Sequence, residues 1–328
     1  MRISAGHRPS IPGLTPPEIL IFFRIPKTGG NTMDGVFEHC LPGQFFHAHT
    51  GNAGSALLMR STESIRQKFA TLAPSTQRAI RCVIGTHVAM DIETIFERPV
   101  KFFTIVREPV DRVISNFYHI RSATHLTSYP FIKDMSIDQY LDSGIGIDID
   151  NHQVRLLSGC PELDAPWDPE GRPISTPPVE RRHLGLAKRN IEERFIVAAP
   201  LEAFTALVWF LKCLYGWPLH RMFFQIRNET PDRPRTEAVP ETTRQRLVVL
   251  NKYDTELYTW VKTRFAEQIR QLEPQFSRQV RRFEQMNGYA QQLGRLSPRG
   301  VQKIGPRLLF SPRSVRLAEA IVTRAINH

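Results

Sequence analysis

Two short apolar runs, each running into a basic turn and then an amphipathic helix, constrain this chain more than any other feature. The first, Ile19-Leu20-Ile21-Phe22-Phe23, is bounded by Pro17 and Pro26. A continuous run of that length reads as a strand buried on both faces, the kind found in parallel sheets. A helix is expected from near Asn31, with Asn31 or Thr32 as its cap and Met33, Val36 and Phe37 on one face. Val100 to Val106 repeats the pattern: it ends at Arg107 and leads into a helix with Pro109 in its first turn and Val110, Val113, Ile114 and Phe117 as its apolar stripe. Further strands are expected at 81–84 and 195–199, with helices at 61–72, 180–193, 201–215 and 241–271. Strands alternating with helices predict an α/β fold, a mostly parallel sheet flanked by helices on both faces, with a helical C-terminal extension.

The 328 residues divide into an N-terminal arm (1–17), a main domain (18–272) and a basic helical or flexible extension (273–328). From Gln291 onward seven Lys/Arg face only Glu319, which suits that tail to peripheral contact with an anionic bilayer. Formal net charge is +11, so the surface should attract anions. No apolar run approaches the roughly 18 residues of a membrane span, and no continuous apolar stretch marks a secretory leader before Pro17. Cys40, Cys82, Cys160 and Cys213 lie far apart without a CxxC pair, so neither a zinc site nor a disulfide framework is expected. The cytoplasm is the expected compartment.

Arg24-Ile25-Pro26-Lys27-Thr28-Gly29-Gly30-Asn31-Thr32 places a lysine, two glycines and hydroxyl groups between a buried strand and a helix start. Such a turn can wrap backbone N–H groups around an anion, with the helix dipole and Lys27 adding charge. It is not a Walker A loop, because the lysine precedes the glycines. Arg107-Glu108-Pro109-Val110-Asp111-Arg112-Val113-Ile114-Ser115 forms a second candidate anion site. Arg107 leaves the carboxyl end of a strand, where open α/β sheets collect ligands, and Ser115 lies off the apolar stripe. Together the two turns describe a ligand with separated anionic groups.

The pair of segments resembles the two cofactor signatures of carbohydrate-type sulfotransferases, the group that includes heparan sulfate 2-O-sulfotransferase. Similarity continues through Asn151 to Gly159, Phe195 to Trp217, Asn228-Glu229-Thr230 with Arg233, and Leu250 to Tyr258, so it spans roughly residues 18 to 270. The resemblance implies a P-loop-like sheet and 3′-phosphoadenosine 5′-phosphosulfate (PAPS) as co-substrate, without a metal. It implies that Lys27 contacts the phosphosulfate and stabilises the leaving phosphate, while Thr28, Gly29, Gly30, Asn31 and Thr32 supply backbone and hydroxyl donors. Arg107 and Ser115 would hold the 3′-phosphate; Arg24 would join the first turn, and Thr230 and Arg233 would cover the adenosine.

In-line sulfuryl transfer needs positioning, charge neutralisation on the leaving group and a base for the acceptor hydroxyl. His87 is the candidate base. It follows a strand and resembles the family's Gly-His element, although Thr86 intervenes between Gly85 and His87. His119 and His152 are its rivals. His152 and Arg155 are candidate contacts to a carbohydrate or other hydroxyl acceptor, Arg155 alternatively bracing its loop. His47 and His49 form an H-x-H pair with no third ligand in the nearby sequence. Two other classes fit parts of the sequence: a nucleotide-dependent kinase of related fold, and a non-catalytic basic protein that binds polyanions. No groove-reading nucleic-acid motif is present.

Overall fold

The first apolar run becomes β1 (Ile19–Arg24), followed by α1 (Gly30–Cys40), β2 (Phe45–Ala48), α2 (Thr62–Ala70) and α3 (Pro74–Ala79). Next come β3 (Cys82–Thr86), β4 (Val100–Val106), α4 (Pro109–Ser122), α5 (Tyr129–Ile132), α6 (Ile137–Asp142) and α7 (His152–Leu157). The chain continues through α8 (Arg181–Arg194), β5 (Phe195–Pro200), α9 (Phe204–Tyr215), α10 (Glu241–Leu250), α11 (Lys252–Arg270) and α12 (Gln275–Arg295). This computed structural model describes residues 11, 13–48, 62–86, 88–126, 128–144, 148–163, 177–226 and 233–295. The tail beyond residue 295 therefore lies outside the described residues, as do His49, His87 and Thr230. Among the described residues no helix is long and apolar enough to cross a membrane.

All strand pairs are parallel and the sheet order is β2-β3-β1-β4-β5. Leu20, Phe22, Cys82, Ile84, Phe103 and Ile105 face α1, α9 and α12 in one apolar core. Ile19, Ile21, Phe23, Val83 and Phe102 face α7, α8 and α11 in another. Burial on both faces is why β1 and β4 read as unbroken apolar runs instead of alternating ones. β1 lies between β3 and β4, and the connections leaving β1 and β4 run to opposite sides. Their carboxyl ends thus border the crevice where sheets of this type bind ligands.

Three local expectations change. Among the described residues β2 is an edge strand of four residues, paired only with β3, and too short to declare itself in the sequence. Helix α1 is capped not by Asn31 or Thr32 but by Gly29, whose φ of 86° is left-handed. The expected single helix over 241–271 is broken at Asn251.

That break has a clear cause. The Asn251 side chain accepts from the Asn151 N–H (3.1 Å) and donates to the Ile149 and Leu247 carbonyls (2.8 and 3.0 Å). Asn151 in turn accepts the first N–H groups of α11, from Tyr253 (2.8 Å) and Asp254 (3.1 Å). Asp254 returns the favour to α7, accepting from Gln153 N–H (3.0 Å) and Val154 N–H (2.8 Å). Two helix starts a hundred residues apart therefore cap each other, satisfying N–H groups that no intrahelical carbonyl can reach.

Asp254 is fully buried, and burial raises its pKa despite the nearby Arg112 and the two backbone donors. Asp254→Ala is expected to destabilise the fold by about 2–4 kcal/mol, because it strands two buried N–H groups. Urea unfolding checks this; an unchanged midpoint would show that the reciprocal cap contributes nothing.

Candidate functional site

The turn after β1 is shaped by two residues with positive φ, Lys27 (68°) and Gly29 (86°). Thr28 is buried between them, and its hydroxyl donates to the Ile25 carbonyl at 2.8 Å. The expected ligand donor at Thr28 is thus spent on closing the turn, leaving only its backbone for an anion. Gly29 allows no side chain: a Cβ there would meet Leu201 Cδ1 at 2.8 Å, and its φ disfavours one in any case. Gly30 is fixed by its neighbour, because a Cβ would collide with the Arg24 guanidinium. Arg24 lies across the first turn of α1, donating to Asp34 Oδ2 at 2.6 Å and to the Asn31 side chain. The Asn31 side-chain oxygen thereby helps to orient Arg24.

Glu108 caps α4, accepting from the N–H groups of Val110 (3.1 Å) and Asp111 (2.6 Å). The preceding residue, Arg107, has its backbone clamped by the Gln153 side chain, which accepts its N–H and donates to its carbonyl, both at 2.9 Å. Gln153 belongs to α7, so the reciprocal cap described above also holds the end of β4. The Arg107 side chain donates from Nε to Asp111 Oδ2 (2.6 Å), lies 2.6 Å from the same oxygen through Nη2, and donates from Nη1 to the Lys27 carbonyl (2.8 Å). That last bond joins the two turns directly. Of the five guanidinium N–H groups, one on each terminal nitrogen is left over, a pair suited to a tetrahedral oxyanion.

Arg233 completes the cluster. It pairs with Asp111 Oδ1, which also accepts from Thr236 Oγ1 at 2.6 Å. The segment around Arg233 and Thr236 is therefore fastened to α4. Burial, and then the positive charges of Arg107, Arg233 and Arg24, lower the Lys27 pKa to about 8. Four cationic side chains from three separate segments converge here.

Asp111, Ser115 and His119 follow one another at helical i, i+4 spacing, so they form a single ridge of α4. One end of this ridge grips Arg107 and Arg233. At the other, His119 is half-buried, and burial followed by the charges of Lys27 and His125 lowers its pKa to about 4. Ser115, between them, is 3% exposed. Sequence reasoning gave His119 only as a rival base and assigned no role to Asp111, the carboxylate that both arginines share. The signal available for both was their spacing from Arg107 and Ser115.

His152 and Arg155, expected on the acceptor side, are both buried. Arg155 Nη1 donates to the carbonyls of Leu163 (3.3 Å) and Pro177 (3.1 Å), bracing the two ends of the segment between them. His152 Nε2 lies 3.0 Å from Asp148 Oδ1. One group among the described residues has metal-ligand types in proximity: Cys160, Glu162 and His183. Its chemistry is unsuited to an ion, because the Glu180 N–H donates to His183 Nδ1 at 2.9 Å. A neutral imidazole accepting there carries its proton on Nε2, the atom that faces Glu162. Nε2, 3.6 Å from Glu162 and carrying the proton, has no lone pair left for a metal.

A scan against protein-family models matches residues 14–155 to the sulfotransferase family. The matched segment covers less than half of the 328 residues. The match covers both basic turns, the α4 ridge and the residues of α7 as far as Arg155, so the crevice between the turns lies inside the segment similar to that family. No curated protein matches the chain.

Lys27 gives this cluster a measurable signature. Its side chain should titrate near pH 8 in lysine side-chain NMR of the ligand-free chain, and Arg107→Met should move that titration upward by removing a like charge. Because the folded pKa is depressed, the unfolded chain binds more protons between about pH 8 and 10.5, and Lys27's contribution to stability rises with pH across that window. A Lys27 titration near 10.5, unmoved by Arg107→Met, would contradict the clustering.

Proposed function

We propose that the chain transfers the sulfuryl group of PAPS to a hydroxyl of a carbohydrate or glycoconjugate, releasing adenosine 3′,5′-bisphosphate. The observation that carries this reading is the 2.8 Å bond from Arg107 to the Lys27 carbonyl, which sets the two cationic turns side by side at one crevice. The residues present fit such a donor, having four cations, a glycine-shaped turn at a helix start and two uncommitted N–H groups on Arg107. PAPS supplies an activated sulfuryl group whose leaving group is a phosphate.

Lys27 and the start of α1 neutralise charge growing on the leaving phosphate oxygen, an electrostatic contribution strengthened by partial burial. Arg107, with Ser115 one ridge position beyond Asp111, holds the 3′-phosphate. Arg24 steadies the first turn, and Arg233 approaches from the segment proposed, with Thr230, to cover the adenosine. The donor assignment is tested by calorimetry with adenosine 3′,5′-bisphosphate and with ATP plus magnesium. Preferential binding of the bisphosphate without metal is expected. Preference for ATP–magnesium would favour phosphoryl transfer, and binding of neither would favour a polyanion-binding role.

His87 is the proposed base by its resemblance to the family's Gly-His element. A second reading has one observation in its favour: His119 lies on the same α4 ridge as Asp111 and Ser115 and is close enough to Lys27 for the two charges to interact, so its imidazole is the alternative acceptor for the hydroxyl proton. Single-turnover assays of His87→Ala and His119→Ala separate the two. The base variant should retain nucleotide affinity while losing transfer by about 100-fold or more; full activity in either removes that histidine from the role.

A further inference from the structure

Asp111 has no part in the roles assigned above, yet it receives both arginines of the cluster. Its Oδ2 takes Arg107 through Nε and Nη2; its Oδ1 takes Arg233 and the Thr236 hydroxyl. Its own backbone N–H is held by the Glu108 carboxylate at 2.6 Å, so the acceptor is anchored in the first turn of α4. A continuous line of bonds therefore runs from Thr236 and Arg233 through Asp111 and Arg107 to the Lys27 carbonyl. The two guanidiniums repel each other, and burial strengthens that repulsion.

We propose that Asp111 is a positioning residue for the donor site: a resident counter-anion that keeps Arg107 and Arg233 together and aimed before any ligand arrives. The proposal rests on the nucleotide reading above and names the residue that preorganises its anion cradle. With Asp111 in place, the arriving phosphate meets an assembled pair and need not gather two mobile, mutually repelling side chains.

The sign of the mutational effect separates this role from bulk electrostatics. Removing a carboxylate makes the crevice more positive, so Coulomb attraction alone would tighten binding of an anion. Loss of positioning weakens it. Calorimetry of the full chain with adenosine 3′,5′-bisphosphate is expected to show Asp111→Ala weakened by about 10-fold or more. Asp111→Asn, which keeps the shape but can no longer balance both arginines, should be weakened in the same direction. In an Arg233→Ala background the loss from Asp111→Ala should shrink, because Asp111 acts partly through Arg233; a residue that merely supports the fold would lose as much in either background.

Binding as tight as wild type, or tighter, in either Asp111 variant would overturn the proposal, as would full additivity with Arg233→Ala. If the wild-type chain binds no adenosine 3′,5′-bisphosphate, the donor reading fails on its own. The Asp111 comparison is then made with inorganic pyrophosphate, where weaker binding supports the proposal and equal or tighter binding overturns it.

Discussion

The site depends on the hydrogen bond from Arg107 Nη1 to the carbonyl of Lys27. It spans two loops separated by 80 positions in the chain, and it forms because β1 and β4 are adjacent strands whose carboxyl ends open onto the same crevice. The positive φ of Lys27 is part of the same arrangement, since it belongs to the turn that presents this carbonyl. A side-chain cation reaching a backbone acceptor leaves the charge of Arg107 only partly compensated. Asp111 supplies much of the remainder. Burial, and then the like charges held beside it, depress the Lys27 pKa, and an incoming anion would relieve the second of these.

Behind this contact stands a layer of buried polar bonds. Gln153 fixes the backbone of Arg107, α7 positions Gln153, and the reciprocal caps between Asn151 and Asp254 lock α7 to α11. Each bond is modest in net worth, but each buried partner is costly to leave unsatisfied. The rigidity of the cradle thus rests on residues well beyond the family-matched segment. α12 extends the same framework on the opposite face, where Phe276, Val280 and Phe283 pack into the core shared with α9, and Trp209 donates to Gln279 at 3.2 Å.

Much of this was legible in the residues themselves. Runs such as Ile19 to Phe23 announce strands because burial on both faces removes polar alternation, and the basic turns after them announce a cationic crevice. What escaped was long-range or spent locally. Nothing in Thr28 reveals that its hydroxyl closes its own turn, and nothing in Asn31 shows that its partner is Arg24. The break at Asn251 is hidden because apolar residues on both sides keep a helical period; its cause is Asn151, a hundred positions away. Arg155 was open to two roles, and its bonds to Leu163 and Pro177 are those of a brace. Asp111 was visible as part of a motif, while its service to Arg233 required the fold.

The central claim is that the two turns hold separate phosphates of one molecule. Comparing calorimetric affinities for adenosine 3′,5′-bisphosphate, adenosine 5′-monophosphate and adenosine 3′-monophosphate tests it most directly. Two independent charge-assisted contacts, each contributing roughly 1.5–3 kcal/mol, predict that the bisphosphate binds at least about 10-fold more tightly than either monophosphate. Equal affinity for the bisphosphate and one monophosphate would mean that only one turn engages the ligand, and would contradict the account.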